Sequence, residues 1–188
     1  YTGSSAYASA GAADGGSITF VRSRLGADNN IFDFTGTELS ASGSAQSVPD
    51  GHEPIFSSLT FIDSLQGASN SNAVTTVNGS TQASSVTVTD GASAVFISGT
   101  SGAASNTISL TGTTLSAKGA SKKSYVYGGI SLISSSEGSV SNSTLEMNTD
   151  SNGKRTTMTA SDGASIHFIN GANGVEKYTI GLNGANIS

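Results

Sequence analysis

The 188-residue sequence has no cysteine, no tryptophan and only two prolines. Without cysteine there is no disulfide framework and no thiolate metal site. Long hydrophobic runs are also missing, and no apolar stretch approaches the ~18 residues of a membrane-spanning helix. Charge is sparse, at 11% of residues, with a formal net charge of −5. That balance argues against a nucleic-acid binder held by phosphate contacts. Hydrophobic residues make up 35% of the chain, below the usual share for a compact domain. Low hydrophobicity with many charges signals disorder, but here the charges are lacking too. What is abundant is small and polar: 24 glycines, with Ser, Thr, Asn and Ala supplying most of the rest. The apolar residues fall in short, regularly spaced clusters, so a thin repeated core is expected. The sequence begins at Tyr1 without an initiator Met, as a processed product or an excised segment would.

One motif recurs five times. It reads Ser17-Ile18-Thr19-Phe20-Val21, Ser58-Leu59-Thr60-Phe61-Ile62, Ser93-Ala94-Val95-Phe96-Ile97, Gly129-Ile130-Ser131-Leu132-Ile133 and Ser165-Ile166-His167-Phe168-Ile169. The fourth positions are 41, 35, 36 and 36 residues apart. Six residues after each fourth position stands a glycine: Gly26, Gly67, Gly102, Gly138 and Gly174. A second apolar strand follows in every copy, from Ile31-Phe32-Asp33-Phe34 to Ile180-Gly181-Leu182. A weaker third position carries Leu39, Val86, Leu115, Met158 and Ile187. Asp14-Gly15, Asp90-Gly91 and Asp162-Gly163 lead into three of the copies, and 14–43 aligns with 90–119 without a gap.

Short alternating strands, separated by Gly, Asn, Asp and Ser clusters, predict an all-β protein. Three strands per repeat of about 36 residues suit a three-sided β-solenoid. Poor helix formers and the lack of a 3.6-residue stripe exclude a helical repeat. Stacking coils ~4.8 Å apart pairs each strand with its neighbour and builds one core, giving a rod roughly 24 Å long. Residues 14–188 are read as five coils, and 1–13 as a partial preceding coil or a frayed segment. The first coil is longer by about five residues, and the excess lies in Val48–Pro54, which holds both prolines and is expected to protrude.

The coil length, the Gly/Ser/Thr/Asn bias and phrases such as Gly128-Gly129-Ile130-Ser131-Leu132 and Val140-Ser141-Asn142-Ser143-Thr144-Leu145 resemble autotransporter passenger domains. These are surface β-helices of Gram-negative bacteria that include self-associating adhesins. The resemblance covers 14–188, and no segment here matches the outer-membrane barrel of that family. It implies a right-handed parallel β-helix, an extracellular or cell-surface location and a non-enzymatic role.

Catalytic chemistry is hard to assemble from these residues. The acids are scattered, whereas glycoside hydrolysis needs two carboxylates at a defined separation. Asp14, Asp90 and Asp162 are read as turn residues, with a calcium row as the alternative. His167 is read as an outward strand residue. Thr87/Thr89, Thr157/Thr159 and the Thr-Gly-Thr triplets at 35–37 and 111–113 raise an ice-binding face, but the pattern does not recur in every coil. Neither a cofactor nor a metal is implied.

The candidate contacts are therefore binding residues. Asp50, His52 and Glu53 lie in the proline stretch, since insertions in solenoids often carry function. Lys118, Lys122, Lys123, Lys154 and Arg155 are expected to form a basic edge, with 118 and 154 separated by one 36-residue repeat and so placed at equivalent turns. Residues 1–94 carry a net −6 and residues 95–188 a net +1. The expected function is adhesion or self-association, with a host-surface glycan or protein or another copy as partner and no membrane insertion by this segment. The alternative is a structural subunit stacking end to end into filaments.

Overall fold

The structure is a computed structural model and describes residues 8–13, 16–43, 57–79, 82–119 and 128–188. Short β-branched, aromatic and hydroxyl-bearing runs form the strands, and Gly, Asn, Asp or Ser ends them. Sheet I holds the recurrent motif as β2 (Ser17–Ser23), β6 (Ser58–Ser64), β10 (Ser93–Gly99), β14 (Gly129–Ser135) and β18 (Ser165–Gly171). Sheet II holds β3 (Gly26–Asp28), β7 (Ala68–Asn70), β11 (Gly102–Ala104), β15 (Val140–Ser141) and β19 (Val175–Glu176). Sheet III holds β4 (Ile31–Thr35), β8 (Ala73–Val77), β12 (Thr107–Thr111), β16 (Thr144–Asn148) and β20 (Thr179–Gly181). Sheet IV holds β1 (Ala8–Ala13), β5 (Thr37–Ser42), β9 (Ser85–Thr89), β13 (Thr114–Lys118), β17 (Thr156–Ser161) and β21 (Ala185–Ile187).

Every pairing is parallel and joins strands one coil apart, as in Ser17↔Ser58, Ser58↔Ser93, Ser93↔Gly129 and Gly129↔Ser165. The protein is a parallel β-helix whose register matches the sequence repeat. β1 adds a sixth strand to sheet IV by pairing with β5 over Ala8–Ala13. Sheet II supplies a short strand beyond the three expected per coil. Each of its strands places one side chain inward, such as Ala27, Ser69, Ala103 or Val140, too little to stand out as an apolar cluster.

Inside, like stacks on like. Ile62, Ile97 and Ile133 align, all fully buried. Phe20, Phe61 and Phe96 form a ring column, with centroids 5.5 and 4.5 Å apart. Phe96 and Ile97 are adjacent in sequence yet both fully buried, and the ladder skips Phe96, so each sheet I strand bends at that position.

The corner between sheets II and III holds a polar stack. Asn29, Ser71, Ser105, Asn142 and Lys177 each take a positive φ, between 50° and 59°. That conformation costs a non-glycine residue about 1–2 kcal/mol. In the first four of these corners it turns the next residue inward, and Asn30, Asn72, Asn106 and Ser143 form a ladder, while Tyr178 after Lys177 is exposed. Asn72 donates its backbone N–H to Asn106 Oδ1 at 3.0 Å and its amide to the Ala27 carbonyl at 2.7 Å. Asn106 repeats the pattern, donating to the Ser69 carbonyl at 2.8 Å. Among the described residues no buried side-chain polar atom lacks a partner.

Candidate binding face

The joins between strands set where function can be carried. Between sheets III and IV, Gly36 alone joins β4 to β5, and 112–113 join β12 to β13. The intervening coils carry insertions there: 78–84 join β8 to β9, and 149–155 join β16 to β17. Between sheets IV and I the alternation is reversed. Segments 43–57 and 119–128 join β5 to β6 and β13 to β14, while 90–92 and 162–164 make tight turns. Coils lie ~4.8 Å apart. A segment that leaves the wall and returns occupies two backbone thicknesses, so the coils above and below it turn tightly.

The tight turns have the residues they need. Asp90 and Gly91 have φ of 54° and 83°, and Asp162 and Gly163 repeat this at 52° and 83°. Two positive φ values define a type I′ turn, which favours Asp-Gly. The closing bonds run from Ala92 N to Thr89 O and from Ala164 N to Ser161 O, each 3.0 Å. Asp90 and Asp162 thus act as turn residues. Among the described residues no group of three or more His, Asp or Glu side chains could hold a metal.

At the other border the two insertions meet. Asn78 donates its amide to Asp150 Oδ2 at 2.8 Å, across the intervening coil, and accepts from Ser84 N at 2.9 Å. Between them passes Gly112, with φ +63°, where an added Cβ would lie 2.5 Å from Asn78 Nδ2. The Asn78 bond, followed by the backbone N–H of Lys154 at 2.8 Å, holds the Asp150 carboxyl below its ordinary value.

All four insertions border sheet IV. The outward residues of β5, β9, β13 and β17 bear hydroxyls, except Glu38 and Lys118. Ser40, Thr87, Ser116 and Thr159 form one column through successive pairings. Glu38 Oε1 accepts from Gln82 of the neighbouring insertion at 2.8 Å. A shallow depression of about 410 Å³ lies at Ser9, Gly11, Glu38, Ser40 and Thr87. Such a face offers donors and acceptors in rows, each hydroxyl able to do both.

Comparison with family models, with curated proteins and with solved structures gives no match.

The structure does not place Lys118 and Lys154 at equivalent turns. Lys118 ends β13 and aligns with Ser161, not with the turn that holds Lys154. Lys154 and Arg155 lie in the join before β17, at the opposite border of sheet IV. The spacing of 36 misleads because the third coil has its extra residues after sheet IV and the fourth has them before it. Lys118 faces Asp162 at 3.8 Å, both exposed, a pair that contributes little. Lys154 and Arg155 are exposed. Asp50, His52, Glu53, Lys122 and Lys123 lie outside the described residues, as does Asp14.

His167 is exposed on β18, its Nε2 3.0 Å from Ser165 Oγ. The Thr-Gly-Thr triplets do not make an outer face, because Thr37 and Thr113 are buried at the corner. In place of a regular threonine face, sheet IV carries mixed Ser/Thr columns. Sequence reasoning missed these columns, although the alternation of Ser and Thr with Leu, Val and Ala in the weak third strand was their signal.

Proposed function

We propose that this protein is a non-enzymatic, extracellular or cell-surface β-helix of autotransporter type, working by adhesion or self-association through the outer face of sheet IV. One observation carries the reading: each of the four long joins connects to a strand of that one sheet. A rigid rod bearing repeated polar columns suits many weak contacts that add by multivalency. A host-surface glycan or protein, or the same face of another copy, fits such a surface.

The test pairs two variants. Thr87→Glu with Ser116→Glu charges the sheet IV face, and Thr75→Glu with Ser109→Glu charges sheet III as a control. Each is assayed on glycan arrays, in adhesion to host cells and by light scattering across concentration. Loss of binding or association with the sheet IV pair alone supports the face. Equal behaviour of both variants rejects it. A wild-type protein that neither adheres nor associates rejects the function, and end-to-end fibres in electron micrographs would move the assignment to the filament alternative.

A further inference from the structure

We propose that Asn152-Gly153 is a self-modifying site, at which the protein deamidates its own backbone at the border of sheet IV. The chemistry needs only water. The Gly153 backbone nitrogen, losing its proton to solvent, attacks Asn152 Cγ; the bond from Cγ to the amide nitrogen breaks and ammonia leaves. Water then opens the cyclic imide at either carbonyl, giving aspartate or isoaspartate.

The described residues contain five Asn-Gly steps, at 78, 152, 170, 173 and 183. Their local chemistry is alike, so the fold must choose among them. Asn78 is held at both ends of its amide, by Ser84 N at 2.9 Å and Asp150 Oδ2 at 2.8 Å. Asn170 and Gly171 are ladder residues of β18, aligned with Ser134 and Ser135. Asn173 donates its backbone N–H to Gly138 O at 3.1 Å and its side-chain amide to the Glu137 carbonyl, both in the preceding coil. Gly184 is buried, donates to Met147 O at 3.0 Å, and an added Cβ there would meet the Thr149 backbone. Each of these four steps is tied to another coil or insertion.

Asn152 is tied to nothing outside its own turn. Its backbone N–H donates to Asp150 Oδ1 at 2.9 Å, and Gly153 N donates to Asp150 O at 3.0 Å. Both residues are exposed, and an added Cβ at Gly153 would meet nothing within 4 Å. The backbone can therefore bend toward Cγ without breaking a contact to a neighbouring coil. The product places a second carboxylate beside Asp150 and lowers the local charge by one next to Lys154 and Arg155. Isoaspartate also lengthens the backbone inside the turn that closes through Asp150 N and Lys154 O at 2.9 Å.

The experiment incubates the folded protein at mildly alkaline pH and follows each Asn-Gly peptide by mass spectrometry, with a parallel sample in urea. In urea the five steps should react at comparable rates. In the folded protein Asn152 should react about tenfold faster than any other, the ratio given by about 1.4 kcal/mol of extra restraint elsewhere. Asn152→Gln, which cannot close the five-membered ring readily, should abolish the fast conversion while leaving the others unchanged. If Asn152 reacts no faster than Asn78 or Asn183 in the folded protein, the proposal is wrong. The same holds if the preference for Asn152 persists in urea, since the fold would then not be its cause.

Discussion

Replacing Asn106 by alanine tests whether the polar ladder holds the corner together. Asn106 is fully buried. Its Oδ1 accepts from Asn72 N at 3.0 Å and from Asn72 Nδ2 at 3.2 Å, and its own amide donates to the Ser69 carbonyl at 2.8 Å. Alanine leaves the buried Asn72 N–H without an acceptor and takes one donor from Ser69. An orphaned buried group costs about 1–3 kcal/mol, and a lost hydrogen bond about 1 kcal/mol. The expected loss is therefore about 3 kcal/mol. Asn30→Ala is the matched control. Asn30 is only half-buried and donates to Asn72 Oδ1 at 2.9 Å, so its removal should cost below about 1 kcal/mol. Urea unfolding followed by circular dichroism gives both losses, with the slope unchanged if only stability moves. A solenoid opens coil by coil, so hydrogen exchange should also show the Asn72 amide deprotected in the Asn106 variant. Equal losses for the two variants, within about 0.5 kcal/mol, would refute the ladder's role.

The sheet III–IV border yields two more expected outcomes. Gly112→Ala should destabilise by about 2–3 kcal/mol, because it adds a left-handed backbone penalty to a clash with Asn78. Gly153→Ala, which meets open space, should cost only about 1–2 kcal/mol; thermal unfolding of both separates the clash from the backbone penalty. The depressed Asp150 carboxyl makes the Asn78 bridge pH-dependent. A carboxyl lowered on folding adds stability above its unfolded pKa, and that stability disappears as pH falls through the folded value. The protection factor of the Ser84 amide, held by Asn78, should thus be steady above the ordinary aspartate range and fall only below it. Asp150→Asn should remove the acid-dependent step.

The sheet I register was legible because it rests on large side chains. Phe20, Phe61, Phe96, Leu132 and Phe168 recur in a sequence with few aromatics, and the first three stack ring on ring from coil to coil. Asp90-Gly91 and Asp162-Gly163 were legible for a different reason, since few dipeptides accept two positive φ values. Sheet II was not legible, because Ala27, Ser69 and Ala103 look like turn residues in a sequence already rich in Ala and Ser. The ladder was hidden in the same way. Asn72 and Asn106 stand within polar turn clusters, whereas the positive φ of Ser71 and Ser105 turns them into the core. Composition separates turn from strand but does not say which polar side chain points inward.

The misjudged equivalence of Lys118 and Lys154 has a physical cause. Repeat length reports only the total number of residues per coil, and the middle coils keep it nearly constant while moving the extra residues from one corner to another. The rise of ~4.8 Å forbids insertions at one corner in consecutive coils, because each needs the height of two. Using both borders of one sheet in alternation avoids that limit. The coils starting at β2 and β10 place theirs after sheet IV, and those starting at β6 and β14 place theirs before it. Each of these coils then has one long join next to its sheet IV strand. Between sheets II and III the join is two residues in every coil, from Asn29-Asn30 to Lys177-Tyr178. The ladder of Asn30, Asn72, Asn106 and Ser143 needs that fixed spacing, so extra residues are carried where no such ladder runs, in the joins that flank sheet IV.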